Sequence, residues 1–190
     1  MKDNIRLVKA LVKLRFERVM MFRLGFFGPF FVDGSLFVIQ LLVFQAIYSK
    51  VDRIGNWGQG DMILFIGTFS LINALNMSIY FFGVNSIPEK IRTGEIDLYL
   101  TKPVSPLLRL TFEQVNPGAL PLVIFSIAII LYGINAAGAD VTISSVSGYA
   151  VSVGMMTVLF YELEVIIRSL AFFTVSSDGV LQLSLIHISE

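Results

Sequence analysis

Four stretches of this sequence are long and apolar enough to cross a lipid bilayer, and that pattern limits the fold more than any single residue does. Hydrocarbon offers the backbone no water, so each crossing segment satisfies its own amides and carbonyls as a helix. The runs are 26–48, 62–82, 119–134 and 148–173. Of the 190 residues 55% are hydrophobic and only 15% charged, against roughly 25% charged in soluble domains. The pattern predicts an all-α membrane protein with an N-terminal amphipathic interfacial helix followed by four transmembrane helices.

Segment 1–24 has no unbroken apolar run. Lys2, Arg6, Lys9 and Lys13 recur on one helical face, while Ile5, Val8, Val12, Phe16 and Val19 recur on another. No small-residue cleavage site follows a short apolar core, which argues against a removable signal peptide. An interfacial helix fits, its cations meeting anionic headgroups at about 1 kcal/mol each. Gly25, Gly28 and Pro29 suggest a bend into the first span, since proline lacks the donor of a helix interior. Asp33 then falls seven residues into that span, about 10 Å deep, where it faces protein or water or is protonated.

The polar, glycine-rich 49–61 reads as a short loop with Trp57 as an aromatic anchor at the water boundary. In the second span Asn73 and Asn76 share a face, which suits interhelical hydrogen bonds of about 0.6–2 kcal/mol, or a polar substrate path. Segment 85–116 is too charged for hydrocarbon. There Ser86-Ile87-Pro88-Glu89 predicts a capping box opening a two-turn helix that Gly94 ends, and Pro103 and Pro106 stiffen the chain beyond that helix. The last span carries Glu162, Glu164 and Arg168 toward its far end. Glu164 and Arg168 are spaced for an ion pair with the acid first, and Glu162 is expected to snorkel to the interface.

Lysine and arginine alternate along the chain: Lys2 to Arg23 before the first span, Lys50 and Arg53 after it, four cations in 85–116, none in 136–147, and Arg168 near the end. The positive-inside rule then places the N-terminus and 85–116 in the cytoplasm and the Trp57 loop and 136–147 outside, in a multi-pass bacterial-type plasma membrane protein. Fourteen cations offset fourteen acids, so no net field attracts nucleic acid. Without cysteine and with His187 as the lone histidine, thiolate and histidine metal sites are not expected. The nearest phosphate-loop spacing, Gly133 to Asp140, lacks the lysine and the Ser/Thr of a nucleotide site, and no HExxH or GxSxG occurs. Catalysis and cofactors are therefore not expected on this chain.

The run 87–106, IPEKIRTGEIDLYLTKPVSP, resembles the signature of ABC-2-type exporter permeases, and Trp57-Gly58 and Gly67-Thr68-Phe69 are similar as well. The resemblance implies a transmembrane subunit that pairs with a second permease subunit, as homodimer or heterodimer, and with separate ATPase subunits that carry ATP and magnesium. It further implies that 85–106 is a cytoplasmic coupling element. Glu89, Arg92, Glu95, Asp97 and Lys102 would give polar contacts to the ATPase, and Ile91 and Ile96 apolar anchors. Such permeases have about six spans, so the four here read as a fragment, with 25–182 as the transmembrane domain and 183–190 as a non-native tail. The competing readings are a proton-coupled carrier using Asp33, Glu162 and Glu164, and a membrane scaffold that transports nothing.

Overall fold

The computed structural model describes residues 2–21 and 23–173, so the tail at 183–190 lies outside the described residues. In chain order the helices are α1 (Lys2–Met21), α2 (Arg23–Tyr48), α3 (Gln59–Ile79), α4 (Phe81–Asn85), α5 (Ile87–Arg92), α6 (Asp97–Leu100), α7 (Pro106–Glu113), α8 (Leu120–Ala137) and α9 (Ile143–Ser169), with a 3₁₀ turn Pro117–Ala119 leading into α8. Four segments are long and apolar enough to cross a membrane: Phe30–Tyr48, Gln59–Ile79, Pro117–Ala137 and Ile143–Phe173. Among the described residues the only extended pairing is the isolated Ile54–Trp57 bridge. The protein is an all-α membrane protein.

Helix boundaries differ from the sequence expectation where short polar signals act. Helix α2 runs unbroken through Gly28 and Pro29, so no helix end falls there; Pro29 removes only the donor to the Gly25 carbonyl. Among the described side chains the span covers Phe30–Tyr48, and α2 carries Asp33 inside one continuous helix that begins at Arg23. The second span stops at Ile79, because Tyr80 leaves helical geometry (φ −136°) and Phe81 and Phe82 belong to α4. Helix α9 starts at Ile143, five residues before the expected Gly148. Thr142 has extended backbone and its hydroxyl accepts from the Ser145 amide, while Ser145 Oγ accepts from the Thr142 amide at 2.9 Å.

The most extensive packing joins α3 and α8 as an antiparallel pair. Small residues let the backbones approach, as in other membrane helix pairs. A methyl on Gly133 would lie 2.7 Å from the Leu64 amide nitrogen, and one on Gly60 would overlap the Ala137 backbone. Farther along the seam the buried Ser70 and Ser126 hydroxyls share a hydrogen bond of 2.6 Å, and Ser126 also donates to the Leu122 carbonyl at 2.7 Å. Helix α2 lies against this pair through Phe37, which packs with Ala74 and Leu122. Helix α9 touches α3, α4 and α5 along one stripe, leaving Val151, Met155 and Ile166 exposed.

The antiparallel α3–α8 pair brings the Trp57 loop and the α8–α9 turn to one end and segment 80–119 to the other. Helix α1 joins the second end: its half-buried stripe Val8, Leu11, Val12, Phe16 and Val19 runs where α1 meets α7, and Arg15 Nε donates to the Val115 carbonyl at 3.2 Å. Arg6, Lys9, Lys13 and Arg18 stay exposed, with Lys13 3.8 Å from Glu17.

Candidate coupling surface and intramembrane polar residues

Segment 80–113 folds into an elbow of four short helices around its own core. Tyr80, Val84, Ile87, Ile96, Tyr99 and Leu110 are buried together, and Ile91, Tyr161 and Val165 pack against them. The last two belong to α9, so the elbow and the final span share that core. The Tyr161 hydroxyl shares a 2.9 Å hydrogen bond with Thr111, and its ring meets Tyr80 edge-on at 5.0 Å.

Local chemistry sets each turn. Pro88 sits in the first turn of α5, and Gly94 takes the left-handed backbone (φ +74°) that ends the hairpin between α5 and α6. Ser105, extended before Pro106, accepts from the Leu108 amide and opens α7. The expected capping box at Ser86 and Glu89 does not form. Ser86 keeps helical backbone inherited from α4, so its hydroxyl turns back to the Gly83 carbonyl at 2.7 Å. Glu89 instead grips Arg92 with two bonds of 2.9 and 2.6 Å, and that contact holds its carboxyl below the usual range.

Tyr99 is the polar centre of the elbow. Lys90 and Arg109 both approach its ring, at 4.6 and 4.4 Å from the centroid. Its hydroxyl accepts from Lys90 Nζ and donates to Glu113 at 2.8 Å, while Arg109 lies 3.6 Å from the same carboxylate and Lys90 3.7 Å from Glu95. Burial, followed by the Glu113 carboxylate and against the pull of Lys90, pushes the phenol above its ordinary value.

Of the residues expected to meet a partner, Glu89, Arg92, Glu95, Asp97 and Lys102 are all exposed on the elbow. Ile91 and Ile96 are not outward anchors. Ile96 is 8% exposed inside the core and Ile91 packs against it, because the turn at Gly94 folds α6 back over α5. The most exposed apolar side chains of the elbow are Leu98 and Leu100, 63% and 62% exposed, which alternate with buried Tyr99.

The intramembrane residues separate into distinct settings. Glu164 and Arg168 lie 3.7 Å apart on α9, and each buries an atom that has no hydrogen bond. Glu162 is exposed. Asn73 donates to Phe69 of its own helix at 3.0 Å, and the Asn76 carbonyl oxygen is buried without a partner, so the expected interhelical bonds of this pair are absent among the described residues. Hydroxyls link the helices instead: Ser70 to Ser126, Thr68 to Tyr149 at 2.9 Å, and Tyr161 to Thr111. Asp33 and Asn73, from α2 and α3, line one groove. Ser70 and Ser126 do not stand out in the sequence because a lone small hydroxyl in an apolar run looks apolar by pattern; their spacing with the seam glycines was the available signal. Among the described residues no three His, Cys, Asp or Glu side chains gather as a metal site.

A multi-pass helical protein whose second and third spans are joined by a folded, charged elbow has the form of a transporter membrane domain. The chain belongs to the ABC-2 family: the model described as ABC-2 family transporter protein matches residues 35–188. No curated protein and no solved structure matches it.

Proposed function

We propose that the chain is the permease subunit of an ATP-driven exporter and that the elbow 80–113 is where a separate ATPase subunit docks. The carrying observation is the elbow itself, which has its own core, presents Glu89, Arg92, Glu95, Asp97, Lys102, Leu98 and Leu100 outward, and shares buried side chains with α9. A docked partner that shifts such a unit moves the spans with it, because packed elements move together. ATP and magnesium belong to the partner, and the chain carries no catalysis. The elbow and the N-terminal helix lie in the cytoplasm of a bacterial-type plasma membrane protein, and a second permease subunit completes the translocation path. The cation-rich elbow and α1, which share one end of the molecule, support this orientation.

The test is co-purification of the full chain with an ATPase from native membranes. Glu95→Lys together with Asp97→Lys is expected to abolish recovery of the ATPase, and recovery unchanged by the double reversal overturns the docking assignment. Vesicle transport that needs ATP and survives an uncoupler supports export. Transport lost with the proton gradient supports the carrier reading, which Asp33 in its groove favours.

A further inference from the structure

The groove that Asp33 and Asn73 share runs between α2, α3 and α8 and encloses ≈ 210 Å³. Its polar lining is Asp33 and Gln40 from α2 and Asn73 from α3, set among Phe37, Phe69 and Met77. Asp33 is the one charged residue there, and among the described residues it has neither a hydrogen bond nor an ion pair. One N–H of the Asn73 amide is committed to the Phe69 carbonyl, and its oxygen has no hydrogen bond among the described residues and can accept in the groove. No lysine or arginine occurs in Phe30–Tyr48, Gln59–Ile79 or Pro117–Ala137, so these three spans offer no counter-charge.

A half-buried carboxylate at membrane level is costly unless something neutralises it. Here the other polar groups are amides whose oxygens can accept from an ammonium without adding charge, and the walls are aromatic and thioether, which suit a cation bearing an apolar tail. We propose that this groove binds the protonated amine head of an amphiphilic molecule, the ammonium between Asp33 and Asn73 and the tail along Phe37, Phe69 and Met77. The volume suits a head and a single ring rather than a whole drug-sized ligand, for which roughly 300–1,000 Å³ is usual. The remainder of the molecule extends past exposed Leu36 toward the bilayer.

The inference rests on the export reading in naming a substrate class, but binding is read on the permease chain alone, so failure of ATPase docking and failure of this site are separate results. The probe is phenethylammonium, with phenethyl alcohol as its uncharged counterpart, titrated by calorimetry into the full chain in a nonionic maltoside detergent. The wild type is expected to prefer the ammonium by about tenfold or more, the size of one charge-assisted hydrogen bond. Asp33→Asn removes that preference while alcohol binding persists, and Met77→Trp, which fills the groove, weakens both. If Asp33→Asn binds neither probe, Asp33→Glu decides: a retained ammonium preference supports the site, and its loss overturns it. Equal binding of the two probes to the wild type, or an unchanged preference in Asp33→Asn, also overturns it.

Discussion

The Thr111 and Tyr161 hydroxyls, fifty residues apart in sequence, lie 2.9 Å from each other and tie the elbow to the last span. Tyr161 is also in edge contact with Tyr80, whose own hydroxyl reaches the Thr157 carbonyl at 3.5 Å. One side chain of α9 thus joins the end of α3, the elbow helix α7 and its own helix.

Tyr161→Phe keeps the ring and loses the hydrogen bond, for an expected cost of about 0.5–1.5 kcal/mol. Tyr161→Ala also removes the partly buried ring, for a larger expected cost that stays below the about 3–5 kcal/mol of a large aromatic truncated in a core. Thermal unfolding in detergent measures both. Protease nicking of 80–113 should rise in the alanine variant and stay near wild type in the phenylalanine variant. Equal sensitivity in the two would show that the ring does not anchor the elbow.

The glycines of the helical seam can be separated from those that only occupy helix. At Gly133 an added methyl meets the Leu64 backbone, whereas at Gly148 and Gly154 in α9 nothing lies within 4 Å. Gly133→Ala is therefore expected to destabilise by about 1–3 kcal/mol through overpacking. Gly148→Ala should be neutral or stabilise by up to about 1 kcal/mol through helix propensity alone. Melting temperatures of the two variants in one detergent check the difference in sign.

Tyr99 gives a pH dependence with a definite sign. Its phenol is raised in the folded protein above the ordinary value of 10.0, so the folded state favours the protonated form. The associated stability is complete below that value and is lost as pH rises through the folded one. Alkaline titration should therefore find Tyr99 ionising late, beside Tyr80, which burial also pushes up, with the elbow loosening alongside. Tyr99→Phe cannot ionise and loses the link between Lys90 and Glu113, so it should be weaker by about 1.5–3 kcal/mol at neutral pH, with a late tyrosinate absorbance step smaller by one tyrosine.

Legibility in the sequence followed the length of the physical signal. The spans were readable because some twenty apolar residues in succession leave the backbone one solution, and Gly94 because a glycine after a short helix usually takes a left-handed turn. Ser86 misled because its capping pattern is local, whereas its backbone was set by α4 running into it. Ile91 and Ile96 misled for a related reason: on an isolated helix they look outward, but the hairpin at Gly94 closes a small core over them, and only tertiary packing creates that core. The Asp33 groove was legible only as a lone acid; Phe69, Asn73 and Met77, which complete it, come from another helix at a register the sequence does not reveal.

Glu164 and Arg168 approach to 3.7 Å without a hydrogen bond, about one third exposed, on a helix that packs against α4 and α5. Glu164→Arg should lower stability by about 1 kcal/mol, near the upper end for partly exposed pairs, and adding Arg168→Glu should restore most of it. The checking measurement is the yield of folded protein extracted from membranes. Absence of rescue would show that the two charges answer to other groups.

The arrangement of ends gives a prediction that needs no competing thiol removed, because the chain has no cysteine. Helix α1 packs against the elbow helix α7 and Arg15 bonds Val115 just beyond it, while Asn56 and Asp140 lie in the two turns at the opposite end of the α3–α8 pair. Single cysteines at exposed Lys13 and Lys102 should therefore react with a membrane-impermeant maleimide from one side, and those at Asn56 and Asp140 from the other. With the elbow in the cytoplasm, intact cells label the second pair, and the first pair labels only after permeabilisation. Labelling of Lys102→Cys in intact cells would invert the orientation and with it remove the ATPase from reach of the elbow.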